Sequence, residues 1–261
     1  MEAVKPPVIS IRNLGLSFEQ DGRRTEVLRG LDLDVAAGEF VAIVGSSGVG
    51  KSTLLRVLMD LAAPTTGTVH IEPAAPGARA MAMVFQDARL LPWRRVLSNV
   101  GFGLEKMRTP KSGRREKALA ALTLVGLRGL AGRWPHQLSG GQRQRVALAR
   151  ALAVDPAILL MDEPFSALDV ATRETLQDEL IRIRSATGKT ILFVTHDIDE
   201  AVYLADRVIA LGGKPGEVRA MRVIDAPHPR VRGASALAAA AAVIKSEMTA
   251  EAAAARDDWV I

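Results

Sequence analysis

One short segment limits the fold of this chain more than any other. An apolar run at Phe40–Val44 is followed at once by GSSGVGKS (residues 45–52) and then by a helical pattern, STLLRVLMD, which begins at Ser52. A continuous apolar run is typical of a strand buried on both faces, since a half-exposed strand alternates apolar and polar residues. The segment therefore predicts a buried strand, a glycine-rich turn and a helix in succession, as in a parallel α/β sheet.

Other runs along the chain repeat this alternation. Residues 158–161 and 190–194 are short apolar runs, and a helical stripe of apolar residues occupies residues 173–186 between them. Residues 8–11 and 31–35 predict short strands that pair as an antiparallel layer near the N-terminus. Together with the glycine-rich turn, these patterns predict an α/β fold: a P-loop NTPase core with a mainly parallel sheet and an N-terminal antiparallel β layer.

The remaining segments predict an insertion and a tail. Residues 87–154 contain helical patterns broken by proline and glycine, without a strong strand, which indicates an inserted helical subdomain. Beyond Leu211 a glycine- and proline-rich turn, a strand at 218–224 and a C-terminal helix are expected. We therefore divide the chain into a larger α/β domain at 1–225, with the insertion at about 87–154, and a helical tail at 226–261.

Composition excludes several classes of protein. The longest apolar stretch has nine residues, about half of what a membrane-spanning helix needs. Cysteine is absent, which excludes disulfides, thiolate zinc sites and a cysteine nucleophile. The net charge of +5 comes from scattered basic residues rather than one block, so we expect no nucleic-acid partner. The first ten residues do not resemble an export or organelle leader, and we expect none.

GSSGVGKS matches the pattern G-x-x-x-x-G-K-[ST] directly after a predicted strand. Glycines allow successive backbone N–H groups to surround a phosphate, and the following helix presents its positive end to the same anion. Lys51 is expected to reach the β- and γ-phosphates of a nucleotide, and the Ser52 hydroxyl to bind Mg²⁺. The candidate nucleotide-binding residues here are Gly45, Ser46, Ser47, Gly48, Val49, Gly50, Lys51, Ser52 and Thr53.

A nucleotide-binding loop of this kind is expected to have acidic residues beside it, and ILLMDEP (residues 158–164) provides them. Asp162, at the end of the predicted strand, would hold Mg²⁺ through water. Glu163 would orient or deprotonate the water that attacks the nucleotide. The alternative is a pair of solvated acids that begins a loop.

LSGGQRQRVALARAL, which starts at Leu138, predicts a second anion-binding helix N-terminus. Ser139 can cap a helix whose first turn contains Gly140 and Gly141. Since one nucleotide does not easily use two such cradles of one chain, this cradle is expected to close over the γ-phosphate held by another copy. A helix that is only N-capped, without a ligand, is the alternative.

With these motifs on one chain, the sequence resembles the nucleotide-binding subunit of an ATP-binding cassette (ABC) transporter. Leu138, Ser139, Gly140, Gly141 and Gln142 are similar to the LSGGQ signature of that family, and the resemblance covers about residues 8–225. It implies a head-to-tail homodimer in which two ATP molecules lie between the P-loop of one subunit and the signature of the other. ATP and Mg²⁺ are the implied cofactors.

The resemblance also gives roles to residues that would not stand out alone. Gln86 in MVFQD matches the Q-loop glutamine, which binds Mg²⁺ or the lytic water and senses the membrane partner. Asp169 in SALD matches the D-loop at the dimer interface, and His196 in VTHD matches the switch histidine that contacts the γ-phosphate. Phe18 lies where the family stacks an aromatic residue on adenine, and Val27 is a further candidate for the adenine wall; packing of Phe18 into the core against Leu16 is the alternative.

Within the family, residues 85–104 and 196–208 are similar to importers of nitrate, taurine and aliphatic sulfonates, with the sulfonate branch most similar. The resemblance implies an integral membrane permease that docks near residues 86–104, a solute-binding protein that acts indirectly, and a peripheral location on the cytoplasmic face of the cell membrane. The residues leave the transported solute open. An ABC exporter would share every motif, and a nucleic-acid-associated ATPase is a further alternative.

Overall fold

A computed structural model describes residues 7–20, 22–74, 79–107 and 109–257 of the chain. The chain divides into two compact units, the first formed by Met1–Glu72 with Leu192–Ile261 and the second by Pro73–Ile191. The strands are β1 (Pro7–Gln20), β2 (Arg23–Ala36), β3 (Phe40–Val44), β4 (Thr66–Ile71), β5 (Arg79–Val84), β6 (Pro156–Asp162), β7 (Thr190–Thr195), β8 (Arg207–Gly212) and β9 (Glu217–Val223). The α-helices are α1 (Lys51–Leu58), α2 (Val96–Val100), α3 (Lys111–Leu124), α4 (Gly140–Ala153), α5 (Val170–Thr187), α6 (Ile198–Leu204) and α7 (Ser235–Asp257).

The first unit contains the antiparallel layer that the sequence predicts. Its strand order is β2-β1-β4, and Ile9 lies opposite both Val35 and Ile71. Both β1 and β2 reach well beyond the predicted runs at residues 8–11 and 31–35. Asn13 has a φ of 47° and the pairing register shifts between Ile11 and Leu14, so the alternation of apolar residues is interrupted there. Because of this irregularity, the apolar alternation in the sequence predicts only the first part of β1.

The same unit contains the buried strands around the glycine-rich turn, with β7 included from Leu192 onward. β7, β3, β8 and β9 are neighbours in this order, with β3 parallel to β8 and β9 antiparallel to β8. All five residues of β3 are buried, as are all six of β7. The rings of Phe40 and Phe193 pack against each other in this core with centroids 6.0 Å apart. The predicted strands at 40–44, 190–194 and 218–224 are confirmed, and so is the C-terminal helix.

The second unit contains the predicted helical insertion. Its helices α2, α3 and α4 pack on one another, and α4 also contacts β5, β6 and α5. β5 and β6 pair in parallel. The stripe predicted for residues 173–186 is confirmed, since Leu176, Leu180 and Ile183 of α5 are buried. β5 is not predicted by the sequence, because its residues are mostly half-buried and carry no clear period.

Within the described residues, no helix combines the length and the apolar character that crossing a membrane requires.

One polar cluster fastens the start of β3 to the start of β8. The guanidinium of Arg207 donates to both carboxylate oxygens of Glu39, at 2.7 and 3.0 Å, and also to the Asp34 carbonyl at 2.5 Å. Glu39 accepts a third hydrogen bond from the Ala36 N–H at 2.8 Å. The side chains of Arg207 and Glu39 are mostly buried, so both depend on these partners.

We therefore expect Arg207→Met to lower the free energy of unfolding by about 2 kcal/mol, because it leaves the Glu39 carboxylate buried without its cation. Urea unfolding followed by circular dichroism measures this change. Arg12→Met is the matched control, since Arg12 forms a similar two-point pair with Asp34 that is exposed to solvent. Equal losses in the two variants would contradict the importance that we give to burial.

Candidate functional site

The glycine-rich loop follows β3 in the first unit. Gly50 has a φ of 108°, a conformation that glycine adopts readily and other residues rarely do, and it is the N-cap of α1. Lys51 is the first residue of α1 and only 5% exposed. Its ammonium donates to the carbonyls of Gly45, at 2.7 Å, and Ser46, at 3.1 Å. The loop therefore surrounds a cation at the positive end of a helix, which is an arrangement suited to an anion.

Close packing fixes the backbone of this loop from two sides. A Cβ atom at Gly50 would meet the side chain of Leu28 on β2, and one at Gly216 would meet the carbonyl of Val49. The Gly216 N–H donates to the Val27 carbonyl at 2.9 Å, and the Arg29 N–H donates to the Gly216 carbonyl at 3.0 Å. The turn before β9 thus packs against the glycine-rich loop and is hydrogen-bonded to β2, the strand that contains Val27.

The adenine candidates lie on the antiparallel layer. Phe18 on β1 is 45% exposed, whereas Leu16 is buried. Val27 on β2 is half-buried. An exposed aromatic ring is available for stacking, and this exposure speaks against the alternative that Phe18 belongs to the core.

His196 directly follows β7 in the first unit and is exposed. The residues around it form a connected network: the Thr195 hydroxyl donates to the Glu200 carboxylate at 2.6 Å, and the Asp197 N–H donates to the Thr195 hydroxyl at 3.0 Å. The Asp197 carboxylate caps α6 by accepting from the Glu200 N–H at 3.1 Å. The position of His196 therefore depends on the first turn of α6.

In the second unit, the signature segment begins α4 as predicted. The Ser139 hydroxyl accepts from the Gln142 N–H at 3.3 Å, and the Gln142 side chain accepts from the Ser139 N–H at 3.0 Å, which is a capping box. Leu138 is buried. Gly140 is exposed, and Gly141 is buried where a Cβ atom would meet Thr172. Exposed Ser139 and Gly140 leave the helix N-terminus accessible.

Asp162 is the last residue of β6, and Glu163 follows it with a φ of 43°. A left-handed backbone at a residue other than glycine costs of order 1–3 kcal/mol. The Ser166 N–H and hydroxyl both donate to the Glu163 carbonyl, at 3.3 and 3.0 Å, and hold this turn in place. Such strain is typical of residues at functional sites.

Asp169 has a local role that is not among those predicted from the sequence. Its carboxylate caps α5 by accepting from the Thr172 N–H at 2.9 Å. This hydrogen bond from the Thr172 backbone lowers the pKa of the Asp169 carboxyl below its ordinary value. An aspartate immediately before a helical pattern is the signal that could have identified the cap.

Gln86 is exposed in the loop after β5, and α4 holds the backbone on either side of it. The Gln144 side chain, itself buried, donates to the Phe85 carbonyl at 2.9 Å. Arg150 donates to the carbonyls of Ala88 and Arg89, both at 2.8 Å, and burial lowers the pKa of its guanidinium. Neither residue is predicted from the sequence; the available signal was that Gln144 lies three and four positions before Ala147 and Leu148, on the apolar face of the helix, where a buried polar group needs partners.

A cavity of about 400 Å³ lies within the second unit. Its lining combines Gln86, the Gly140 end of α4 and Asp162 with Leu168 of the segment before α5. The structure therefore brings three of the candidate motifs of this unit together around one space.

The candidate residues divide between the two units. The first unit contains Phe18, Val27, the loop from Gly45 to Thr53 and His196. The second contains Gln86, the signature residues Leu138 to Gln142, Asp162, Glu163 and Asp169. The three candidates for magnesium binding, Ser52, Gln86 and Asp162, offer a hydroxyl, an amide oxygen and a carboxylate, and these hard oxygen donors suit Mg²⁺.

Comparisons with known proteins agree with the motifs. A sequence profile described as "ABC transporter" matches residues 28–166. The chain is 48% identical over 248 residues to the aliphatic sulfonates import ATP-binding protein SsuB of Pseudomonas fluorescens (strain Pf0-1), covering 92% of this chain and 88% of that protein. It is also 48% identical over 227 residues to the uncharacterized ABC transporter ATP-binding protein MJ0412 of Methanocaldococcus jannaschii, covering 86% and 85% of the two chains.

Among solved structures, the chain is similar to a dimeric post-hydrolysis state of the ATP-binding cassette MJ0796 bound to ADP and Pi. The TM-score is 0.72 at 34% sequence identity, and the match covers 84% of this chain and 100% of that one. The predicted α/β fold is confirmed by this similarity.

The Asp169 cap predicts a pH dependence of stability. Because the pKa of Asp169 is lowered in the folded state, its contribution is present above the ordinary aspartate pKa of about 3.9 and is lost as the pH falls through the lowered value. We expect the difference in melting temperature between the wild type and Asp169→Ala to shrink between pH 6 and pH 3. Asp169→Asn keeps a capping side chain that does not titrate, so its difference from Asp169→Ala should stay constant. A gap between wild type and Asp169→Ala that is independent of pH would contradict this assignment.

Proposed function

Because this chain belongs to the ABC transporter family, we propose that it energises the import of a small anion of the aliphatic sulfonate, taurine or nitrate class. The chain is an ATP-binding subunit that hydrolyses ATP to drive transport. The observation that supports import of a sulfonate is its similarity, over most of both chains, to aliphatic sulfonates import ATP-binding proteins. The ATPase part would be residues 1–225 and the tail residues 226–261.

In this proposal the nucleotide is held by the glycine-rich loop. Lys51 would exchange its two carbonyl partners for the β- and γ-phosphates, and the backbone N–H groups of the loop would donate to phosphate oxygens. Phe18 would stack on adenine, with Val27 as part of the wall. Both the ammonium and the start of α1 would then face negative charge, which removes the unfavourable pairing of a cation with the positive helix end.

Hydrolysis would depend on Glu163 as the general base, which takes a proton from the attacking water. A positioned base contributes about 10² to 10⁴ in rate. His196 would contact the γ-phosphate, and Gln86 would orient the water. Mg²⁺ would be held by Ser52, Gln86 and Asp162 and would supply charge neutralisation on the phosphate oxygens.

The second copy of the chain would complete each nucleotide site. The exposed N-terminus of α4 at Ser139 and Gly140 faces no acidic residue in its own first turn, so it is suited to a phosphate from outside the protomer. The dimeric state of the similar cassette MJ0796, bound to ADP and Pi, supports the formation of a dimer. Asp169 and its neighbours would lie at this interface, with the Asp169 cap setting the start of α5.

The permease would dock on residues 86–104 of the helical insertion. Trp93 is 70% exposed there and Phe102 is also exposed, which is the kind of apolar surface that a partner covers. The buried Asn99 side chain holds the loop before α2 by accepting from the Leu91 N–H at 2.7 Å and donating to the Arg94 carbonyl at 2.8 Å. Gln144 and Arg150 of α4, the helix that begins with the signature, would connect that helix to the backbone at the start of this surface.

The subunit would then be peripheral on the cytoplasmic face of the membrane, with a solute-binding protein on the other side.

We expect Glu163→Gln to bind ATP, to accumulate as a dimer and to lower the hydrolysis rate by about 10² to 10⁴. The amide has the shape of the carboxylate but cannot accept the proton, and it meets the same backbone strain. Light scattering with and without ATP measures the dimer, and phosphate release measures the rate.

Lys51→Ala is the control for that experiment, because it removes the phosphate ligand and leaves Glu163 in place. It should lose ATP binding by calorimetry and should not dimerise when ATP is added. A Glu163→Gln protein that stays monomeric with ATP and turns over at the wild-type rate would overturn the role of Glu163.

The import proposal is tested by growth of a deletion strain on single sulfur or nitrogen sources: alkanesulfonates, taurine, sulfate and nitrate. We expect loss of growth on one organic or inorganic anion, restored by the wild-type gene and not by the Glu163→Gln gene. Unchanged growth on every source would contradict import of this class of anion, while leaving the ATPase activity to be measured separately.

A further inference from the structure

The tail that follows β9 packs on α6, the helix that begins next to His196. Leu237, Ala241 and Ile244 of α7 are buried at the spacing of one helix face. α7 contacts α6, β8 and β9 within the first unit. The motifs of the nucleotide site assign no role to this segment.

Arg230, between β9 and α7, binds the end of α6 through several hydrogen bonds. It is 9% exposed, and its guanidinium donates to the carbonyls of Val202 at 2.8 Å, Tyr203 at 3.2 Å and Ala205 at 2.7 Å. These carbonyls belong to the last turn of α6, where the helix has no further N–H groups to offer them. A buried cation at the negative end of a helix is favourable on electrostatic grounds as well.

The Arg230 side chain also binds another residue of the tail. Arg230 Nε donates to the Ala226 carbonyl at 2.8 Å, so the guanidinium joins the segment after β9 to the end of α6. Next to it, the guanidinium of Arg232 lies over the ring of Tyr203, 4.1 Å from its centroid. Lys245 of α7 pairs with Asp199 at the other end of α6, at 2.9 Å. The tail therefore contacts α6 at both ends.

α6 is a rigid connection between these contacts and His196. Its seven residues span about 10 Å. Its first turn contains Glu200, which accepts from Thr195 and donates to Asp197, the residues on either side of His196. A shift of the last turn of α6 would therefore be transmitted to the backbone around His196.

We propose that Arg230 is a positioning residue for His196, and that the tail sets the orientation of the switch histidine through α6. This inference rests on the proposed function, since it assumes that His196 contacts the γ-phosphate. Arg230 lies outside the nucleotide-binding loop, so its loss should affect turnover rather than ATP affinity.

The test compares Arg230→Met with Arg222→Met as the matched control. Arg222 is an arginine of β9 whose guanidinium pairs with Glu247 of α7 and donates to the Met221 carbonyl, so these bonds tie the tail to β9, whereas those of Arg230 end on α6. In Arg230→Met, we expect kcat to fall at least about tenfold, since small misplacements of a catalytic group are costly, while KM and ATP affinity change less than about twofold. Arg222→Met should keep the wild-type kcat.

Two further readouts separate positioning from general destabilisation. Hydrogen exchange of residues 195–204 should become at least about tenfold faster in Arg230→Met and remain unchanged in Arg222→Met. In a His196→Ala background, adding Arg230→Met should change single-turnover hydrolysis less than about twofold, because the group that Arg230 positions is already gone. Should Arg230→Met not fold, Arg230→Lys, which keeps the cation with fewer donors, should show intermediate effects on exchange and kcat.

Unchanged exchange at residues 195–204, or an equal loss of rate with and without His196, would overturn the proposal. Failure of the proposed function gives a different result: the wild-type protein would not hydrolyse ATP, and Lys51→Ala would bind nucleotide normally. The exchange measurement still decides in that case whether Arg230 holds α6 and the loop before it.

Discussion

The burial of the Lys51 ammonium at the N-terminus of α1 is the constraint on which the nucleotide site depends. A cation inside the protein needs partners, and here the carbonyls of Gly45 and Ser46 provide them. Those carbonyls can converge only because glycines let the loop turn closely beside β2 and the turn at Gly216. The strand before the loop must in turn be buried and fixed, and the cluster of Glu39 and Arg207 fastens its start to β8. Sheet, loop and helix thus form one arrangement around a charge that favours an anion.

Much of this arrangement follows from the sequence. Fully buried strands such as β3 and β7 produce continuous apolar runs in the sequence. The capping box at the start of α4 joins Ser139 and Gln142, which are three positions apart, so neighbouring residues are enough to predict it. The comparisons with known proteins confirm the family and the α/β fold that these local patterns predict. The roles of individual site residues remain proposals, and those of Gln86, Asp169, His196 and Phe18 rest on the resemblance alone.

What the sequence does not reveal depends on contacts between distant residues. Gln144 and Arg150 bind carbonyls of residues about sixty positions earlier, and Arg230 binds carbonyls more than twenty positions earlier. A carbonyl is present at every residue, so no side-chain pattern marks which ones will be used. β5 is missed for a related reason: its half-buried residues are defined by pairing with β6, not by their own period. Such contacts are visible only once the chain is folded.

The conformation of Glu163 has a consequence for how this protein can change. Its backbone is left-handed, which glycine would adopt at lower cost, yet glycine has no side-chain group that could serve as the proposed base. Backbone preference and chemistry therefore demand different residues at one position. A search for more thermostable variants of this protein would favour replacements at 163 that relax the turn and abolish turnover. Selection for heat resistance alone would thus drive the enzyme toward an inactive but well-folded nucleotide-binding protein, and any such screen needs activity as a second criterion.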